Sequence, residues 1–350
     1  MAEYTKKKTA SYMDYSDFRK IKSPEETGGC FVIFGDEDYI KENCLESLKK
    51  LALDGGDETF NYRRINGPNV DMDELIEAVE AFPSFAERTF VEVRDFDIYK
   101  CKEETADKLM QILADVPDYC CLVFYYATIK FSADKRRKKL HEAVQKAARL
   151  FEINMQEQNQ LIKWIQRRFA ASNQSISNDD CEYLILLCGG LMTGLISEIE
   201  KISAYAKEKT IKRSDIDAVA VPVAEAQVFK LSNAIAEKNF NEAAHIMGTL
   251  LQMNEHPVMI LGLIGSQCRK LYTARLLKEQ GGSTAQLMKV LDYKSEYPAK
   301  LLMNNASKFS LKWCENAVLA CAETDYQMKN TPIDGEELLK SLFLRLAGDR

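Results

Sequence analysis

The apolar run Phe31-Val32-Ile33-Phe34 leads directly into Gly35-Asp36-Glu37-Asp38-Tyr39, which puts three carboxylates where a nucleotide-binding fold cradles phosphates. A working phosphate loop uses several glycines to converge backbone N–H groups, and adds a lysine and a Ser or Thr for the terminal phosphate and Mg²⁺. Here one glycine and an acidic field stand instead, and GxxxxGK[ST] occurs nowhere in the chain. Such a loop repels a triphosphate. Nor do three consecutive acids all turn toward one ion, and no histidine or distant acidic motif joins them. The sequence therefore assigns no catalytic residue, no cofactor and no metal ligand.

Two further clusters suit binding rather than turnover. Phe82-Pro83-Ser84-Phe85 is a proline-fixed turn carrying two aromatic rings. Fully burying one phenylalanine is worth about 1.5 to 3 kcal/mol, and apolar anchors that enter a preformed pocket supply most of an interface's energy. Read alone, the turn fits either a surface wedge or two rings packed beneath the sheet of their own domain. Between Lys130 and Arg149, eight Lys or Arg stand against two acids, among them Lys135, Arg136, Arg137, Lys138 and Lys139. That run is either a phosphate-tracking surface with salt-dependent, sequence-neutral affinity or a solvated helix face, and any DNA contact it makes is secondary.

The rest of the composition narrows the class. A chain of 350 residues is long for a single core, so two or three domains are expected. Hydrophobic residues at 46% and charged residues at 29% exclude a disordered chain. A net charge of −6 gives no global basic footprint. The ten cysteines form no CxxC pair; Cys181 with Cys188 and Cys314 with Cys321 lie seven apart, hence on one helix face. They read as buried thiols acting as small apolar residues in a reducing compartment. His141, His245 and His256 have no helix-spaced partner and read as structural or exposed. The start, Met1 to Lys8, is charged with no apolar stretch after it, unlike a secretory signal, and no run of about 18 apolar residues is present to span a bilayer. A cytoplasmic location and no membrane partner are expected.

The elements that position these clusters change character along the chain. Residues 1–29 read as a loosely ordered lead-in with one short helix. From 30 to 153, strands at Phe31–Phe34, near Thr59–Ile65, at Thr89–Val93, Cys120–Tyr126 and Leu150–Ile153 alternate with helices at about Glu37–Leu53, Asp71–Ala81, around Leu109–Leu113 and Ala133–Ala148. This pattern implies an α/β domain with a mainly parallel sheet and helices on both sides. After Ile153 the alternation stops. Helices at Gln158–Ala171, Asp179–Cys188 and Leu191–Ala206 make a small module to about residue 220. Further helices near Ala226–Ala236, Phe240–Gln252, Pro257–Glu279, Thr284–Leu291, Glu296–Lys308, Ser310–Met328 and Glu336–Leu346 make a terminal bundle over 221–350. Met247, Met259, Met303 and Phe343 read as core and inter-subunit packing there. Gly189-Gly190 reads as a helix stop or a hinge.

Four segments, in order and spacing, resemble the delta subunit family of bacterial DNA polymerase III, a clamp-loader family of AAA+ type. Phe31 to Ile40 is similar to its opening, an apolar strand followed by Gly, an acid and Glu. Ala81-Phe82-Pro83-Ser84-Phe85-Ala86-Glu87-Arg88 into Val91 resembles its apolar-Pro-x-Phe turn before a small residue, a basic residue and a strand. Gly189-Gly190-Leu191 through Ile199-Glu200-Lys201-Ile202 matches a Gly-rich turn and helix. Val228-Phe229-Lys230-Leu231 through Ala234-Ile235-Ala236 is similar to the opening of its collar. The resemblance runs from about Cys30 to Leu346.

The resemblance implies a degenerate AAA+-like α/β domain over 30–153, an all-α lid over 154–220 and an all-α collar, which mediates oligomerisation, over 221–350. It also implies a subunit that binds the ring-shaped sliding clamp (beta) and holds it open. Its implied neighbours are the ATP-hydrolysing gamma/tau subunits and delta-prime, and it meets DNA only through the assembled, nucleoid-associated replisome. It implies no ATP binding by this chain, whose Phe90–Val93 run continues into Arg94 and Asp95 without an Asp-Glu doublet. The helix after Gly190 starts with Leu191, Met192 and Thr193 where AAA+ relatives place a phosphate-sensing arginine. The family position makes Phe82, Pro83, Ser84 and Phe85 the clamp-binding element, with Phe85 the projecting ring. Many relatives carry an apolar residue at the Ser84 position, so Met72 and Leu75 on the preceding helix are also candidates to complete the wedge. Such a subunit belongs formally to a DNA-directed DNA polymerase holoenzyme, though nothing here resembles a polymerase active site. A helical scaffold that recognises another replication or repair protein is the alternative.

Overall fold

Five short strands, β1 (Gly29–Phe34), β2 (Tyr62–Asn66), β3 (Thr89–Arg94), β4 (Cys120–Tyr125) and β5 (Ala148–Glu152), form an all-parallel sheet ordered β2-β3-β4-β1-β5. The computed structural model describes residues 12–253, 255–293 and 296–348, and falls into two units that meet between Met155 and Gln156. All of β4 is buried, as a strand covered on both faces must be. α2 (Asp38–Leu53) packs on one face with Cys44, Leu45 and Leu48 fully buried. α4 (Met72–Glu80), α5 (Glu103–Ala114) and α6 (Lys138–Ala147) cover the other, where Leu75, Leu109 and Val144 meet Val32, Val91 and Leu122.

Three local expectations differ from what is found. Residues expected to open the second strand instead make a helical turn, α3 (Glu58–Asn61), because the Asp57 carboxylate accepts the Thr59 N–H and caps it. The helix expected from Ala133 starts only at Lys138: Asp134 accepts the Arg136 N–H and guanidinium and holds a turn ahead of it. The lead-in is more ordered than expected from residue 12 onward. Beyond the short helix α1 (Tyr15–Phe18), Met13 bridges to β5, Phe18 is buried, and Pro24–Thr27 forms a 3₁₀ turn. Residues 1–11 lie outside the described residues.

The second unit is helical: α7 (Gln158–Ala171), α8 (Asn178–Cys188), α9 (Met192–Tyr205), α10 (Arg213–Val219), α11 (Ala224–Ala236), α12 (Phe240–Gln252), α13 (Pro257–Glu279), α14 (Thr284–Leu291), α15 (Glu296–Ala306), α16 (Leu311–Asn330) and α17 (Gly335–Gly348). Two-residue strands β6 (Ser175–Ile176) and β7 (Thr210–Ile211) pair in parallel, too short for any periodicity to announce them. Long α13 is central to the later helices and packs on α11, α15, α16 and α17. Met247 lies in their core, Met303 and Phe343 pack against it, and Met259 is exposed. Gly189 has φ +82 and ψ 171 and ends α8 in a positive-φ extended conformation open to glycine. Among the described residues no single helix is long and apolar enough to cross a membrane.

Nine cysteines are buried and Cys101 is half-buried. Burial pushes the thiols of Cys44, Cys181 and Cys188 up to about 12 and those of Cys120 and Cys314 up to about 11. Only thiolate reacts, and Cys321, held below its ordinary value by its contact with Cys268, is itself buried out of reach. With a colorimetric thiol reagent at about pH 8, the native protein should therefore show at most one fast thiol, Cys101, and all ten only in denaturant. Two or more fast thiols in the native protein would contradict this packing.

Candidate functional site

Because every strand of the sheet runs the same way, the carboxyl ends share one edge and the amino ends the other. At the carboxyl edge the ends of β1, β4 and β5 frame a cleft of about 340 Å³, walled by Gly35, Asp36, Asp38, Lys41, Thr128, Lys130 and Glu152. Open α/β sheets take ligands in such a crevice. Lys41 follows Gly35 by six residues, the spacing of a phosphate-loop lysine. That signal is masked in the sequence, because the intervening glycine and the following hydroxyl are replaced by Ile40 and Glu42.

The structure shows how each of these positions is used. The Lys41 ammonium is buried, 2.9 Å from the Tyr126 carbonyl oxygen and 2.8 Å from the Asp38 carboxylate. Ile40 is buried on α2. Burial pushes the Glu42 carboxyl up, but hydrogen bonds from the Tyr125 hydroxyl and the Arg94 guanidinium outweigh it and hold it below the usual range. The backbone N–H groups of Ala127 and Thr128 donate to Asp95, each at 2.8 Å, and the Thr128 hydroxyl joins them. Against the opposing effect of burial, these bonds keep Asp95 below the usual carboxylate range. The chain's own carboxylate therefore fills a nest of amides that would otherwise suit an anion.

The Phe82-Pro83-Ser84-Phe85 turn sits at the opposite, amino edge, between the end of α4 and the start of β3. Phe82 is 79% exposed, and its ring stacks at 5.1 Å on Tyr119, whose hydroxyl donates to the Glu80 carbonyl. Phe85 is fully exposed and its backbone is left-handed, with φ +56. That conformation is rare and costly for a bulky residue. The loop around it is nevertheless tied down. Ser84 is held through its backbone by Asn61. Arg88, at the exit, donates to the carbonyls of Pro24 and Asp118. Pro83 and Ser84 are half-buried. Met72 and Leu75, candidates to complete the wedge, lie in the core beneath the sheet and face away from any partner.

The basic run does not make one helix face. Arg136 is tied to Asp134, while Arg137 donates to the carbonyls of Tyr99 and Cys101 and pairs with Glu103 at 3.2 Å. Lys135, Lys138 and Lys139 are exposed, the last two in the first turn of α6, where the helix dipole disfavours cations.

A model of the DNA polymerase III, delta subunit family matches residues 31–154, which carry both the cleft and the turn, and one of the DNA polymerase III delta subunit, C-terminal domain, matches 225–346. The chain is 24% identical over 335 residues to DNA polymerase III subunit delta of Bacillus subtilis (strain 168), covering 94% of this chain and 96% of that one. It is 24% identical over 330 residues to the probable DNA polymerase III subunit delta of Aquifex aeolicus (strain VF5), covering 92% and 91%. The solved structure of the Bacillus subtilis DNA clamp loader delta protein shares its fold, with a TM-score of 0.50 over 96% of this chain and 98% of that one at 24% identity. With both of its family's domains present in order and relatives matching over nearly their whole length, the chain belongs to the DNA polymerase III delta subunit family.

Proposed function

We propose that this chain is the subunit of a bacterial clamp loader that binds the sliding clamp and holds its ring open while partner subunits hydrolyse ATP. The observation that carries this reading is Phe85: a phenylalanine held wholly in solvent, in a strained conformation, on a loop braced from several sides. Strain kept at an exposed aromatic is strain kept for a partner. Phe82 supplies the second ring, and Pro83 and Ser84 the turn between them. The α/β domain itself takes no ATP in this reading, since Lys41 and the amides of Ala127 and Thr128 are committed to internal partners. The helices over 154–220 act as a lid and those over 221–350 as the collar that joins the gamma/tau and delta-prime neighbours in the cytoplasm.

The test is direct. Purified chain mixed with bacterial sliding clamp should co-elute on gel filtration at concentrations of about 1 μM and should turn over no ATP. An inert chain that ignores the clamp would point instead to a scaffold for another replication or repair protein.

DNA contact by the assembled loader falls to exposed Lys135, Arg136, Lys138 and Lys139, Arg136 making only a surface pair with Asp134, while Arg137 is engaged internally. Reversing Lys138 and Lys139 to Glu should lower the salt dependence of primer-template binding by about two units of log–log slope and leave clamp binding unchanged. Fluorescence anisotropy across a salt series checks this; an unchanged slope would make the run a solvated surface.

A further inference from the structure

We infer that Asn61 is the positioning residue that aims Phe85 at the clamp, an inference that rests on the reading of the turn given above. Asn61 ends α3, and its side chain is 1% exposed. Its Oδ1 accepts the Ser84 N–H at 2.7 Å, while its Nδ2 donates to the Ser84 carbonyl at 2.8 Å and to the Asp57 carbonyl at 3.0 Å. One carboxamide thus grips both backbone groups of the residue just before Phe85, as a neighbouring strand would. A side-chain amide sets a carbonyl acceptor and an NH2 donor side by side on one planar group, as this double contact with a backbone residue requires. An aspartate keeps the acceptor and turns its other oxygen toward two carbonyls.

A second contact closes the other flank. A Cβ on Gly56, in the turn ahead of α3, would sit 2.7 Å from the Cβ of Ala86, so this segment also abuts the residue just after Phe85. Both neighbours of Phe85 are therefore set by residues 56–61, while the ring itself stands in solvent. Asn61 is buried and cannot touch a partner. Its effect on binding passes through the conformation of Phe85, which would otherwise relax out of the left-handed region and take the ring with it.

The experiment uses the full chain and purified sliding clamp, with Asn61→Ala, Asn61→Asp, Phe85→Ala and the Asn61→Ala/Phe85→Ala double variant, each checked for folding by circular dichroism. Asn61→Ala should weaken clamp binding roughly tenfold, with Asn61→Asp at least as damaging, because its buried second oxygen faces two carbonyls. The double variant should bind no worse than Phe85→Ala alone, because a residue acting through that ring has nothing left to lose. Parental affinity in Asn61→Ala, or losses that add in the double variant, would overturn the inference.

A second readout needs no clamp. Hydrogen–deuterium exchange in a peptide covering residues 82–88 should speed up roughly tenfold or more in Asn61→Ala while β3 and β4 stay protected; unchanged exchange would also overturn the inference. Should the parent chain ignore the clamp while exchange responds as expected, the partner has been misassigned and the aiming role of Asn61 stands.

Discussion

Phe85→Ala is expected to weaken binding to the sliding clamp by at least tenfold and to leave the chain folded. Removing a phenylalanine ring that becomes buried in a partner forfeits about 1.5 to 3 kcal/mol, and about 1.4 kcal/mol is a factor of ten in affinity. The free chain loses nothing comparable, because the ring is fully exposed before binding. Phe85→Gly separates function from fold more sharply. Glycine enters the left-handed region without penalty, so this variant should be more stable than the parent by about 1 kcal/mol while also losing the clamp. Phe82→Ala should cost binding less cleanly, since Phe82 also stacks on Tyr119. Surface plasmon resonance against immobilised clamp, with urea denaturation in parallel, measures both quantities. Parental clamp affinity in Phe85→Ala would end the assignment of this turn as the clamp contact.

What the sequence reveals of such a site depends on how far its physics reaches along the chain. The strands are legible because Phe31–Phe34 and Cys120–Tyr125 are near-continuous apolar runs, and burial on both faces leaves a local signature. The aromatic turn is legible because Pro83 breaks a helix between two rings. The bracing of that turn is not, since Asn61 meets Ser84 across 23 positions and nothing near either residue announces the pairing. The same holds for Asp95, whose carboxylate meets amides 32 and 33 residues away. The spacing of Lys41 from Gly35 is local, but its commitment to the Tyr126 carbonyl, 85 residues on, emerges only from the fold. Local carboxylate caps are equally silent: Asp57 makes a helical turn where β-rich Thr59 and Phe60 favour strand, and Asp134 delays α6.

Gly35→Ala should be among the most destabilising single changes in the α/β domain, lowering unfolding free energy by about 3 kcal/mol or more. Gly35 has φ +127, which an L-residue with a side chain adopts only under strain, and a Cβ there would drive into the Ile153 carbonyl oxygen. That oxygen has little freedom to withdraw: it accepts the Glu37 N–H at 3.1 Å, while the Ile153 N–H donates to Phe34 at 2.7 Å. Relief would require breaking the seam where the chain beyond β5 crosses the end of β1. The neighbouring Asp36 is exposed, so Asp36→Ala should move stability by less than about 0.5 kcal/mol. Urea midpoints at constant m-value compare the two, and a parental midpoint for Gly35→Ala would refute the packing role. A glycine needed to let phosphates approach would, on mutation, cost a ligand and spare the fold. One needed for a backbone crossing does the reverse. The predicted loss therefore assigns Gly35 to the turn itself: the sheet edge needs that crossing, and the aromatic surface proposed to meet a partner lies at the other end of the same strands.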